Sequence, residues 1–376
     1  MHRADGFPNP DLTVGEGNKQ GWNQPANRRR GFHSLHQLFR RALMVRSRRV
    51  LALTPLASPA VDAAVAASGL TRYPAFSALV IAEGNHTLHQ SCAADFSLTR
   101  PHSIQSITKM HIHLIVGELV DAGRLDPAST VASHLPWIGS AYAGATVGDV
   151  LDMNVENDFS EDYGDPDADC YREEQALGWR LPPGDGPEPT LRDFVAGLTG
   201  GDLTNRSHFA RYKSANTDVL TLIAATLSPG SLARRIEAIA DAAGYEAAFH
   251  ISLSADGLPG FSGGGCLSAR DLARFGLLFV RQGAGFGQSV GSAGFLRDAL
   301  TRPAPTLSPS RPWQRYSNHL MTDGRRIGHA GYGGQYLMAD LQTGRVAAFL
   351  SVLENDSGYD EGYMVGVVRG LEAILA

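Results

Sequence analysis

Apolar and polar positions follow two different rhythms along this chain of 376 residues. The stretch FSALVIAE, Phe76–Glu83, is a short and almost continuous apolar run, which predicts a strand. Gly84-Asn85 is a hairpin signal, and residues 86–93 predict the returning strand. A 3.6-residue rhythm then takes over. SITKMHIHLIVGELV (106–120) predicts a helix ended by Ala122-Gly123, and further helices are predicted over 190–198, 216–227, 231–244 and 268–283. The last opens with Ser268 and has Asp271 three residues on, which resembles a capping box. Beyond residue 312 strand patterns return at 315–322, 325–331, 335–342 and 345–352, the last two joined by Thr343-Gly344. A final amphipathic helix is predicted from about residue 359 to 375.

Strands near both ends with helices between them predict an α+β fold. Residues 61–120 and 300–376 would share an antiparallel sheet flanked by helices, and residues 121–299 would form a mainly helical insertion in the same domain. Residues 1–60 are expected to be an irregular arm, because their beginning is rich in Gly, Pro, Asn and Arg. Arg28-Arg29-Arg30 within it reads as a solvated loop. A groove between sheet and helical regions is the expected place for a ligand.

Composition narrows the function. A net charge of −5 argues against a nucleic-acid-binding surface. Cys92, Cys170 and Cys266 are isolated, with no metal-ligand spacing, so neither zinc nor a disulfide framework is expected. No run of about 20 apolar residues predicts a membrane span. The first residues lack the apolar stretch of a secretory signal, so a cytoplasmic location is expected.

Of the 33 basic residues only Lys19, Lys109 and Lys213 are lysines. Lys109 stands one helical turn after Ser106, so amine and hydroxyl are predicted neighbours. A serine needs an adjacent base to become a nucleophile. Lysine can serve once apolar surroundings such as Ile107, Met110 and Ile112 favour its neutral form. Arginine cannot, because it does not deprotonate in proteins. Two further stretches hold candidate partners. In RYKSANTDVL, Tyr212 and Ser214 precede a helix, and a cationic lysine would lower the phenol's pKa and let it relay protons. In GHAGYGGQYL, His329, Gly331 and Tyr332 lie on or beside a predicted strand. Glycine there would let a substrate carbonyl approach the backbone, with the Tyr332 and Ser106 amides as an oxyanion hole.

Together, Ser106-x-x-Lys109, Tyr212-x-Ser214 and His329-x-Gly331 resemble the serine β-lactamase and penicillin-binding superfamily over roughly residues 60–375. The resemblance implies a β-lactamase-like fold and a cofactor-independent serine hydrolase. Ser214 and His329 stand where class C β-lactamases carry Asn and Lys, and the carboxylesterase and 6-aminohexanoate-dimer hydrolase branch shares these changes. In that branch a loop tyrosine, matched by Tyr163, covers the substrate. The implied mechanism is acyl transfer, with Ser106 as nucleophile, Lys109 as base and Tyr212 as proton donor. Tyr332, Tyr163, Ser214, His329 and Gly331 would contact the oxyanion or substrate, and a protonated His329 could still meet an anion. The expected substrate is a small amide or ester, ω-amino-acid oligomers among them, and a homodimer is allowed. The rivals are a β-lactamase, a D-aminopeptidase, and a silent ligand-binding or scaffold member of the fold.

Other patterns carry less. His111 and His113 sit about 200° apart around a helix and are expected to be packed rather than to share a metal. Residues 156–174 hold nine acidic residues against Arg172 alone, which reads as a solvated loop or as an acidic rim that attracts amines through Asp165 and Asp167. Asp165, Asp167 and Asp169 have calcium-loop spacing, but Cys170 and Ala176 stand where such a loop needs Gly and Glu. Gly263-Gly264-Gly265 lacks a following Lys and reads as a flexible lead into the next helix.

Overall fold

The computed structural model describes residues 21–182, 186–228 and 232–376. Its centre is a nine-stranded sheet in the order Thr306–Ser308, Arg311–Ser317, Leu320–Thr322, Arg326–Gly331, Gln335–Asp340, Arg345–Ser351, Phe76–Glu83, His86–Cys92, Thr54–Pro55. All neighbours are antiparallel except the last pair. The two chain ends meet where Val346 pairs with Ala82 and Leu350 with Ala78.

The apolar run at Phe76–Glu83 has a direct cause: the strand is covered on both faces. Ala78, Val80 and Ala82 join the core shared with helix Ala269–Val280, while Leu79 and Ile81 pack under helices Pro59–Ser68 and Glu361–Leu375. Alternate residues point to opposite faces of a strand, so both layers had to supply apolar partners. Each buried Val, Leu or Ile contributes about 1.5–3 kcal/mol. The chain therefore has the α+β architecture expected of it. A second, four-stranded sheet joins Ala42–Val45, Phe249–Ser252, Gly265–Leu267 and His102–Ser103.

Three expectations are corrected. The arm expected to be irregular through residue 60 contains helix Pro25–Phe32 and the short strands Ala42–Val45 and Thr54–Pro55. Its Trp22, Phe32, Leu35 and Leu38 are buried in the main core, which the Gly- and Arg-rich composition concealed. Residues 1–20, Lys19 among them, lie outside the described residues. Arg28 is not solvated. It is 2% exposed and donates to the carbonyls of Asn23 (2.9 Å), Leu353 (2.9 Å), Asn355 (2.6 Å) and Asp356 (3.2 Å). Residues 315–322 do not form one strand, because Asn318 and His319 both have positive φ (48° and 64°) and fold the segment into a tight hairpin. Helix Ala269–Val280, within the stretch expected to be mainly helical, packs on strands Arg345–Ser351 and Gln335–Asp340. Its Ser268 cap is as expected, with the side chain accepting from the Asp271 amide. Among the described residues no helix is long and apolar enough to cross a membrane.

Candidate active site

Strand His102–Ser103 delivers the chain into a single 3₁₀ turn, Gln105–Lys109, which runs on into helix Met110–Asp121. Gln105 has φ of +47°, a left-handed conformation that costs a non-glycine residue about 1 kcal/mol or more. Two bonds hold it there: Gln105 Nε2 donates to Ser103 Oγ (2.6 Å), and Thr108 Oγ1 donates to the Gln105 carbonyl (2.6 Å). This bend presents Ser106 to a cavity of about 430 Å³ whose walls include Glu161, Tyr163, Tyr212, Arg311 and Tyr332.

Lys109 lies fully buried beside it. Its Nζ donates to Ser106 Oγ (3.1 Å), to Ser214 Oγ (2.9 Å) and to the Ser262 carbonyl. Burial is the largest influence on the amine and lowers its pKa, opposed by the carboxylates of Glu161, Glu173 and Asp218. Helix Ser214–Leu227 supplies Ser214 at its first position. The Ser214 hydroxyl donates to Glu161 Oε1 (2.7 Å) and its amide to Glu161 Oε2 (2.7 Å). Ser214 is thus buried and committed to Lys109 and Glu161, and it does not line the cavity as a substrate contact. The neighbouring Lys213 anchors the acidic segment by donating to the carbonyls of Asn157 (2.8 Å) and Phe159 (3.1 Å).

Tyr212 lines the cavity with its ring centroid 5.3 Å from Lys109 Nζ. Its hydroxyl is buried and has no hydrogen-bond partner among the described residues, its contact with Ser106 falling short of bonding geometry. The expectation of a lowered phenol pKa is reversed. Burial is the largest influence and pushes it well above the ordinary value, so Tyr212 holds its proton.

His329 is also corrected. It is fully buried, not at the cavity wall, with Nε2 against Tyr316 Oη (2.9 Å) and Nδ1 against the Ala330 carbonyl (2.6 Å). Burial lowers its pKa to about 3, so it is a neutral packing residue and no anion contact. Gly331 does line the cavity, but backbone approach explains its lack of a side chain. A Cβ there would stand 2.7 Å from the Ile104 carbonyl and 3.2 Å from Gln105 Cβ. Strand Arg326–Gly331 thus lies directly against the turn that carries Ser106. The Ser106 amide, in the first turn of its helix, has no intrahelical acceptor, and neither it nor the Tyr332 amide donates a hydrogen bond among the described residues.

The Tyr163 ring stacks on Tyr332 at 4.4 Å and its hydroxyl donates to Glu161 Oε1 (3.3 Å). Tyr332 is backed by Phe32 (5.9 Å) and by the Arg28 guanidinium (5.4 Å), so the N-terminal helix supports the site from behind. The acidic segment is not simply solvated. Glu173 and Glu174 are buried, and Glu174 pairs with Arg180. Asp165 and Asp167 are exposed and do not line the cavity, whereas Glu161 and Asp162 do. His111 is stacked on Phe249 and Phe275 and bonded to the Thr108 carbonyl, a packed residue as expected. The triple glycine is a close approach rather than a flexible lead, since a Cβ at Gly265 would stand 2.6 Å from Thr108 Oγ1.

Sequence reasoning missed Glu161, Ser262 and Arg28. The one available signal was Glu161's place two residues before Tyr163. Nothing local marks Ser262 or Arg28, whose partners lie far along the chain.

The family described as Beta-lactamase matches residues 71–363. The chain belongs to that family, and it is a hydrolase. A 6-aminohexanoate-dimer hydrolase from Paenarthrobacter ureafaciens is 30% identical to it over 97% of each chain. A Bacillus anthracis protein, placed provisionally among 6-aminohexanoate-dimer hydrolases by its name, shares the fold with a TM-score of 0.79 at 18% identity, over 96% of this chain and 98% of its own. A D-stereospecific amidohydrolase from a Streptomyces species shares it with a TM-score of 0.57 at 17% identity, over 81% and 96%.

Proposed function

We propose that this hydrolase cleaves small linear amides or esters through an acyl-enzyme on Ser106. The observation that carries the reading is the buried Lys109 amine, which donates to Ser106 Oγ at 3.1 Å on the cavity floor. Ser106 attacks the carbonyl and its proton passes to neutral Lys109. The free amides of Ser106 and Tyr332 receive the developing oxyanion. Tyr212, held protonated by burial, gives its proton to the leaving amine or alcohol and regains one from Lys109. Water then cleaves the acyl–serine bond, releasing the acid and restoring the serine. No cofactor enters these steps.

Substrate preference follows from the walls. His329 offers no cation, and the guanidinium at the cavity, Arg311, is paired with Glu361 (3.0 Å). Among the described residues lining the cavity, the cation a β-lactam carboxylate could meet is Arg311, whose charge is already paired with Glu361. Glu161 and Asp162 favour a substrate bearing a free amine. The name of the 30% identical relative suits such a substrate, a short ω-amino-acid oligomer. Replacing Ser106 by Ala should abolish turnover of p-nitrophenyl esters and labelling by a fluorophosphonate probe. Retained turnover in that variant would refute the assignment. Faster hydrolysis of nitrocefin than of linear amides would overturn the substrate class.

A further inference from the structure

One group of buried side chains has no part in these steps. Glu173, on helix Asp169–Ala176, and Asp218, one turn after Ser214 on its helix, are 4% and 0% exposed, and neither lines the cavity. Both oxygens of Asp218, Oε1 of Glu173 and the hydroxyl of Ser262 are buried without a hydrogen bond among the described residues. They nevertheless act on one another, for Glu173 and Ser262 are both among the groups that influence Asp218. The cluster is tied to the base from two sides. Lys109 Nζ donates to the Ser262 carbonyl and to Ser214 Oγ, one turn from Asp218.

Two buried carboxyls acting on one another resist ionising together, while the Lys109 ammonium beside them favours ionising one. One proton between them leaves a single negative charge that acts, beside the Glu161 carboxylate, on the positive charge of Lys109. We propose that Glu173 and Asp218 share one proton one layer in from the cavity, and that their remaining charge positions Lys109 and sets the pH at which it becomes a base. They are positioning residues, since they act on Ser106 only through Lys109. Burial raises the pKa of both carboxyls, and their charges in turn oppose the lowering at Lys109. The other groups facing Lys109 are Glu161, whose oxygens are held by Ser214, the ring of Tyr212, and His319 and His329. Burial keeps both histidines neutral. Tyr142 also faces the pair, with its hydroxyl on Asn216 (2.8 Å).

The inference rests on Lys109 being the base for Ser106, and the test separates the two claims. The rate of fluorophosphonate labelling at Ser106 is measured against pH for the wild type, the double variant Glu173→Gln/Asp218→Asn and Ser106→Ala. Removing the shared negative charge lowers the amine's pKa, so the acidic midpoint should fall by about one pH unit, a roughly tenfold gain in rate on that limb relative to the plateau. A double variant with a reduced plateau and an unmoved midpoint would show a merely structural role and overturn the proposal. Labelling of Ser106→Ala at the wild-type rate would instead overturn the nucleophile assignment. Should the double variant fail to fold, neutron diffraction of the wild type at neutral pH decides. One deuteron between Glu173 and Asp218 supports the pair, and none or two overturns it.

Discussion

Lys109 shows what a residue type alone can say. In a chain that carries its positive charge on arginine, a lysine beside a serine pointed to a base that can lose its proton, and the buried amine lies 3.1 Å from that serine. Tyr212 was legible as a partner but not in its state, because sequence shows neighbours in order and not the desolvation they impose. Replacing Tyr212 by Phe should lower kcat about 10²–10⁴-fold if the phenol delivers a proton. Because the hydroxyl has no partner, the same change should leave the melting temperature unchanged or raise stability by up to about 1 kcal/mol. Gly331→Ala drives a methyl against the Ile104 carbonyl, a backbone atom that cannot swing aside. It should destabilise the fold by about 1–3 kcal/mol, measured by denaturant unfolding. If Ser106 is the nucleophile, displacing its turn should also lower kcat/KM at least about tenfold.

Long periodic elements were legible and short ones were not. Phe76–Glu83 matches its predicted bounds, and helices Ser214–Leu227 and Ala269–Val280 lie where their 3.6-residue rhythm placed them. Strands of two to four residues, such as His102–Ser103 and Gly265–Leu267, are shorter than any period that could announce them, yet they aim Ser106 and Ser262 at Lys109. Helix Pro25–Phe32 was hidden because arginines fill it, and its value lies in distant acceptors. Replacing Arg28 by Ala removes bonds to four carbonyls and the support behind Tyr332. It should cost about 2–4 kcal/mol in denaturant unfolding. KM for an ester should rise more than kcat falls, since the wall of the cavity loosens while Ser106 and Lys109 keep their places.

At the scale of the molecule, buried histidine makes the fold sensitive to acid. Burial lowers His33, His36, His111 and His113 to about 4 and His329 to about 3. These folded-state values lie below the unfolded value near 6.5, so between them the unfolded chain binds more protons. Stability from these residues is complete above about pH 6.5 and is lost as pH falls towards 4. Each tenfold difference in proton affinity between unfolded and folded chain is worth about 1.4 kcal/mol per histidine. Urea midpoints measured from pH 7.5 to 4.5 should fall steeply, and replacing the stacked His111 by Phe should flatten that fall. The rhythm of apolar positions carried the α+β layering, because burying one face of each element is a local requirement written at local spacing. The Ser106–Lys109 pair was equally readable, since three residues of helix bring them together. The groups behind that pair were decided only in three dimensions. Glu161, Glu173, Asp218 and Ser262 come from four separate segments, and a carboxyl's charge there depends on how much water the folded chain excludes and which cation it faces.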